Sequence, residues 1–359
     1  MEYDFLIVGQ GITGSILAIE LEARKKKFKI INLNSDHTSS KVAAGIMHPL
    51  ALKRGSIAWR GKEFFEFSNQ FYKNLELKNN TNFYKNFTLR RVFSSFEEQN
   101  NWIGKSSDYN YKDLIDYDSK DVEFKNSFGT GILKKASRLK VNSFLDFFQN
   151  KYGQNFINKK FDPEKLEIKN KLFYFENNPY KKIVLCQGVN AMENLLFNYL
   201  PIIPNKGELL EVKSSYLPNY ILNTGVFSLP KENNLFTIGS TYNHLDKEPQ
   251  VTLKAREELL NKLCKIIDIK YLDLQNQKYG FRPTTLDRKP LIGEHPIVKN
   301  LYVINGMGSK AVLMAPLLIN DFLDAIFNNR NFNSSVDIKR YVRKLKKENL
   351  SFANSILRK

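Results

Sequence analysis

The sequence predicts an α/β fold, a Rossmann-like domain joined to a second, α+β domain built on an antiparallel sheet. Three observations predict it. The chain has 359 residues, 42% hydrophobic and 26% charged, too long for one ordinary core and too apolar to stay disordered, so two lobes are expected. Its first strand runs straight into a glycine turn and a helix, the order of a nucleotide-binding βαβ unit. Strand and helix alternation returns around residues 140–200 and 285–330, whereas Asn82–Phe93 and Leu209–Tyr242 read as strands separated by turns at Pro218-Asn219 and Pro230, the pattern of an antiparallel sheet.

Tyr3 to Val8 form a short apolar strand, Gly9-Gln10-Gly11-Ile12-Thr13-Gly14 follows at once, and Ser15 to Arg24 read as a helix with Ile16, Leu17, Ile19 and Leu21 for burial. Gly9 allows the tight turn, Gly11 lets backbone approach a diphosphate, and Gly14 lets the helix pack closely. The diphosphate then meets the amides at the helix start, around Ile12 and Thr13. A second strand, Phe28 to Leu33, comes at the expected distance. Its end should offer an acid to the ribose hydroxyls; Asn32 stands there instead, with Asn34 on the same face if the strand continues. Either amide oxygen can accept that bond, and no Arg is near to favour NADP. Helical spacing recurs at Gly61–Leu77 and Leu253–Ile267. Near the far end the apolar strand Leu301–Ile304 leads through Gly306-Met307-Gly308 into an apolar run, Ala311–Phe327. Amides and a positive helix end are thereby aimed at whatever lies in front. Pro316 is expected to kink that helix.

Composition removes other classes. No run of about 18 apolar residues predicts a membrane-spanning helix, and Met1-Glu2-Tyr3-Asp4 carries acids where a secretory signal has bases, so a cytoplasmic chain beginning at Met1 is expected. Cys186 and Cys264 lie far apart and histidines number four. Neither a disulfide framework nor zinc spacing results, and no metal is expected. The 55 Lys and Arg against 37 Asp and Glu give a net charge of +18. Most of these bases are Lys spread along the chain, not a stripe interleaved with aromatics. Lys339-Arg340, Arg343-Lys344 and Lys346-Lys347 spread around a helix, which reads as a solvated face, with nucleic-acid or membrane-surface binding the less favoured alternative.

Beside the first fingerprint stand Ser39-Ser40-Lys41-Val42-Ala43-Ala44-Gly45-Ile46, Tyr279-Gly280-Phe281-Arg282-Pro283-Thr284-Thr285, Asp287, Pro290-Leu291-Ile292-Gly293 and Leu301 through Gly306-Met307-Gly308-Ser309-Lys310. Weaker echoes are Ile183–Gly188, Lys206-Gly207-Glu208 and Ile238-Gly239-Ser240-Thr241. Together they make the chain, from Tyr3 to about Phe327, resemble the FAD-dependent family of D-amino-acid oxidase, glycine oxidase and sarcosine oxidase. The resemblance implies FAD as cofactor and a discontinuous FAD-binding domain at residues 1–50, 140–200 and 285–330. Residues 51–139 and 201–284 then form the substrate domain, and 331–359 a basic helical tail. Ala43, Ala44, Gly45 and Ile46 would run along the isoalloxazine, although small residues equally suit a plain helix start. Gly188 ends one cofactor strand. Gly306, Met307, Gly308, Ser309 and Lys310 would stand at the flavin's pyrimidine edge, with the Lys310 charge added there or turned to water.

Arg282 is the candidate for substrate. Its apolar flanks, Phe281 and Pro283, make an unmet charge costly, and a guanidinium matches a carboxylate bidentately; the matching Arg of glycine-oxidase-like enzymes anchors the amino-acid carboxylate. An ion pair with Asp287 is the competing role. His48 faces flavin or substrate, or simply caps a turn before Pro49, and Tyr242 and Tyr279 are candidate supporting hydroxyls. The expected function is FAD-dependent oxidation of the C–N bond of a small carboxylate-bearing amine to an imine, of the glycine, sarcosine or D-amino-acid type. No residue decides between oxygen and another electron acceptor. Two alternatives are a tRNA-modification oxidase acting on a carboxymethylaminomethyl group, which the +18 charge suits, and a non-catalytic flavin-binding protein, suggested by Asn32.

Overall fold

The computed structural model describes residues 1–33, 38–117, 124 and 128–358, apart from the side chain of Lys53. The chain divides into two units: Met1–Lys41, Val141–Asn205 and Phe281–Lys359 form unit 1, and Val42–Lys140 with Lys206–Gly280 form unit 2. These boundaries differ from the sequence reading at residues 42–50 and 140, which fall in unit 2, and at residues 201–205, 281–284 and 331–359, which fall in unit 1. Residues 42–50 belong to unit 2 because Ile46–Met47 pair antiparallel with Ser137–Arg138. The tail belongs to unit 1 because Ala353 and Ile356 sit in its core, and Asn349 Nδ2 donates to the Leu195 carbonyl at 2.7 Å.

Unit 1 is the α/β unit. Strand β1 (Tyr3–Val8) leads into helix α1 (Ile12–Ala23) and strand β2 (Phe28–Ile31); later come β3 (Asn178–Leu185), β4 (Leu301–Asn305) and helix α2 (Ala311–Phe327). β2, β1, β3 and β4 are adjacent and parallel, in registers such as Phe5↔Phe28, Val8↔Leu185 and Leu185↔Val303. Parallel strands covered on both faces read as continuous apolar runs, and Phe5–Val8, Ile183–Leu185 and Leu301–Asn305 are all buried. Antiparallel strands flank them: Leu172–Phe175 on β3 and Leu291–Glu294 on β4. α1 begins at Ile12, three residues before the sequence reading, because the Ser40 hydroxyl accepts the Ile12 N–H at 3.2 Å and so satisfies one amide of the first turn. α1 packs on α2, with Arg24 Nη2 donating to Asn320 Oδ1 at 2.8 Å. α2 is one helix through Pro316.

Unit 2 is built on a mainly antiparallel sheet with a core on each face. Pairings Leu210↔Ile238 and Val212↔Phe236 put these residues on one face, where Leu259 and Leu263 of the helix Leu253–Leu263 close the core. On the other face Leu89, Ile221 and Leu133 align beneath Trp102. Gly131 is obligatory there, since a Cβ would stand 2.3 Å from the Trp102 ring. Among the described residues no helix is long and apolar enough to cross a membrane, and no three His, Cys, Asp or Glu gather as metal ligands.

Candidate active site

The parallel strands of unit 1 end side by side, which makes the crevice beyond Val8, Leu185 and Asn305 the expected ligand position. The first turn there is tight at its glycines. Gly9 has φ +103° and a Cβ on it would lie 2.5 Å from the Cys186 carbonyl; a Cβ on Gly14 would lie 1.9 Å from the Gly9 carbonyl. Gly11 faces the Ser40 hydroxyl, 3.0 Å from where its Cβ would be. Asn32 Oδ1 accepts the Gln10 N–H at 3.0 Å, which ties the glycine turn to the end of β2. Asn34 lies outside the described residues.

The second and third strand ends are joined by a residue the sequence reading passed over. Buried Asn305 donates from Nδ2 to the Gly188 carbonyl and accepts the Gly306 N–H at Oδ1, both at 2.8 Å. One amide thus clamps two turns whose glycines sit at φ +57° and +76°. Its signal was a polar residue closing an otherwise apolar strand. Met307 is buried, Ser309 exposed, and the Gly308–Lys310 turn feeds α2. Lys310 is half-buried at the N-terminal end of that helix, and burial lowers its pKa. Its ammonium has no acid partner among the described residues.

Arg282 lies in the same unit. Its strand, Asp273–Thr285, ends against the last glycine turn, where a Cβ on Gly306 would meet Thr285 Cγ2 at 2.7 Å and one on Gly308 would meet Thr284 Cγ2 at 3.3 Å. The half-buried guanidinium reaches a neutral group, Asn205 Oδ1, at 3.4 Å. The competing ion pair is not formed: Asp287 is held by Arg340 Nε at 3.1 Å, by the Lys289 N–H and by Tyr341, which together keep its pKa low.

Ala43, Ala44, Gly45, Ile46, His48, Tyr242 and Tyr279 belong to unit 2. Gly45 has φ +76°, and its carbonyl accepts from Leu139 N at 2.9 Å. His48 is half-buried before the Pro49 turn, and Tyr242 is 63% exposed. Tyr279 lies over Lys206, whose ammonium is 5.8 Å from the ring centroid. That lysine, only 1% exposed, is bound by Asp246 at 2.8 Å and faces Glu208 at 3.7 Å. The Lys206-Gly207-Glu208 motif therefore supplies a buried ion network, and only the anomaly of two charges beside an apolar strand marked it in the sequence.

A family model described as FAD dependent oxidoreductase (DAO) matches residues 165–319. The matched segment is less than half of the chain, and the chain is similar to this family, whose description names FAD as the cofactor. In sequence the chain is 20% identical, over 94% of its length, to the tRNA 5-methylaminomethyl-2-thiouridine biosynthesis bifunctional protein MnmC of Campylobacter jejuni, of which it covers 54%. Among solved structures, glycine oxidase from Bacillus cereus superposes with a TM-score of 0.75 at 20% identity, covering 92% of this chain and 96% of that one. Iminodiacetate oxidase (IdaA) from Chelativorans sp. gives 0.78 at 15% identity, covering 94% and 98%. The chain spans about half the length of the curated relatives it matches first. The strand ends of unit 1 fit FAD: the turn with Gly9, Gly11 and Gly14 and the start of α1 suit its diphosphate, and the start of α2 with Lys310 suits an electron-rich ring edge.

Proposed function

We propose that the protein oxidises the C–N bond of a small amine bearing a carboxylate. What supports this reading is Arg282, a half-buried guanidinium on the strand that ends against the last glycine turn. A guanidinium matches a substrate carboxylate with charge-assisted, bidentate geometry. FAD, when bound, supplies the acceptor for the two electrons that leave the C–N unit, and water hydrolyses the resulting imine. The chain's own residues bind and orient. Gly9, Gly11 and Gly14 admit the diphosphate to the α1 amides, Arg282 fixes the carboxylate, and Lys310 with the α2 N-terminus favours negative charge in front of them. Tyr242, Tyr279 and His48 are proposed as supporting contacts. The test is Arg282→Leu in FAD-loaded protein, with a panel of glycine, sarcosine and D-amino acids under anaerobic conditions. KM for the responding amine should rise roughly 100-fold, as expected for losing a charge-assisted pair, with FAD retention unchanged. Loss of FAD instead would remove Arg282 from this role.

A second reading is supported by the match to the tRNA-modification protein and by the +18 charge. On that reading the amine is a carboxymethylaminomethyl group carried by RNA. Reduction of the flavin by such an RNA, with no response to any free amino acid in the panel, would select it.

A further inference from the structure

The carboxy-terminal segment of unit 1 has no part in the chemistry above. Residues 331–359 carry eight Lys and Arg against two Asp and Glu, whereas the whole chain has 55 against 37, so the excess of base is concentrated here. The sequence reading spread these bases around a helix. The structure forms instead a 3₁₀ helix, Ile338–Lys344, and a separate α-helix, Lys347–Arg358. Both are anchored, since Ile338, Ala353 and Ile356 lie in the core of unit 1. Arg340 binds Asp287 Oδ2 at 3.1 Å and the Pro290 carbonyl at 2.8 Å, which ties the turn 286–289 to the same surface. What this surface presents to solvent is basic. Lys339, Arg343, Lys344 and Lys347 of the tail and Arg288 of the tied turn are exposed, and none has an acid partner among the described residues. The acids beside them are already met, Asp287 by Arg340 and Glu348 by Lys346 at 3.5 Å. Fixed bases without competing acids suit a polyanion, whose condensed counterions are released as its phosphates are neutralised. A lipid surface fits less well, because Ala353 and Ile356 are buried in the core and Phe352 packs against it, so the face a bilayer would take up is occupied. The surface also lies near the substrate candidate: the strand carrying Arg282 ends at Thr285, and at about 3.3 Å per residue the tied turn begins about 10 Å from Arg282.

We propose that Arg288, Lys339, Arg343, Lys344 and Lys347 form a docking surface for the phosphate backbone of RNA. The proposal rests on the second reading above for its partner and names where that RNA lands. The test is fluorescence anisotropy of a labelled, unmodified tRNA transcript with the FAD-loaded full chain. Replacing all five bases with Gln should weaken binding roughly 100-fold or more at about 0.1 M salt. It should also flatten the dependence of log K on log salt by about 4, since each phosphate contact contributes about 0.9. Arg343→Gln with Lys344→Gln alone should cost about 10-fold. As a control, Gln at five exposed lysines elsewhere, Lys25, Lys27, Lys171, Lys213 and Lys254, removes the same charge and should leave affinity within about threefold, because charges more than about 10 Å from a bound phosphate are screened at this salt. The thermal midpoint and FAD content should match the parent in every variant, since only exposed side chains change. Equal weakening by the control set would assign the attraction to net charge and overturn the proposal. So would an unchanged affinity in the tail variants, or a parent that binds vesicles of anionic phospholipid and not the transcript. The transcript carries no oxidisable amine, so docking is read apart from chemistry: RNA that binds through these five bases yet never reduces the flavin would remove the second reading and leave the surface assigned.

Discussion

The tightest constraint on single residues is steric. A methyl group on Gly14 would stand 1.9 Å from the Gly9 carbonyl and 3.4 Å from Ile7 Cγ2. Both neighbours are fixed, the first as backbone and the second as a fully buried core residue, so the helix start or the turn must move. Gly14→Ala should therefore cost stability at the upper end of the roughly 1–3 kcal/mol typical of overpacking, and should release FAD, because the α1 amides leave their position. Urea unfolding and the flavin-to-protein absorbance ratio check the two effects, and a variant that keeps full FAD content would contradict the cradle. Asn305→Ala is a milder change. It opens the clamp between Gly188 and Gly306 without a clash, and leaves a half-buried carbonyl and a buried N–H without their partner, a loss of about 1–3 kcal/mol by the same unfolding measurement.

At the scale of elements, the segment between the strand Leu235–Gly239 and the helix Leu253–Leu263 is fastened at both ends. Lys206 exchanges two backbone bonds with Asn243 and binds Asp246. Glu208 accepts from Thr252 N and Thr252 Oγ1, both at 2.9 Å, and from Gln277 Nε2 at 2.7 Å. Lys206→Met leaves Glu208, 2% exposed, without its cation and should destabilise unit 2 by about 3–5 kcal/mol. Asp246→Asn keeps the Lys206–Glu208 contact and should cost only about 1 kcal/mol, yet both variants should speed proteolytic cleavage within residues 243–251. Cleavage unchanged in both would mean the hook does not hold the segment. The sequence disclosed elements in proportion to their local pattern. α2 is an almost unbroken apolar run, and α1 follows a glycine fingerprint, so both were legible, as was the likeness to an FAD-dependent family. The short strands Tyr84–Asn86 and Ser137–Leu139 carry too few residues to show a period, and their pairing with Ile46–Met47 is what moves residues 42–50 into unit 2. Of the candidate site, residue types were legible and partners were not. Asn32 on Gln10 and Ser40 on Ile12 are facts of long-range placement, which local pattern does not encode.

For the whole molecule, acid should be more damaging than the +18 charge alone implies. His295 is 1% exposed, accepts from the Ile297 and Val298 amides at Nδ1, and lies edge-on to Phe197. Burial pushes its pKa from 6.5 to about 4. The unfolded chain therefore binds a proton that the folded chain refuses between these values, so stability falls as pH drops from about 6.5 towards 4 and levels off below that. The loss from neutral pH to pH 5 should be about 2 kcal/mol, since a full unit of pKa shift corresponds to 1.36 kcal/mol. Repulsion among the many exposed lysines acts alongside, but by a different route: salt shortens its range to about 10 Å at 0.1 M, whereas a desolvation penalty inside the core is almost indifferent to salt. Urea unfolding from pH 7 to 5, at low and at 0.5 M salt, separates the two. Salt should shift the whole stability curve and leave its slope in this window, while His295→Gln should flatten the slope at either salt. A slope that survives His295→Gln and disappears in salt would assign the acid sensitivity to surface charge.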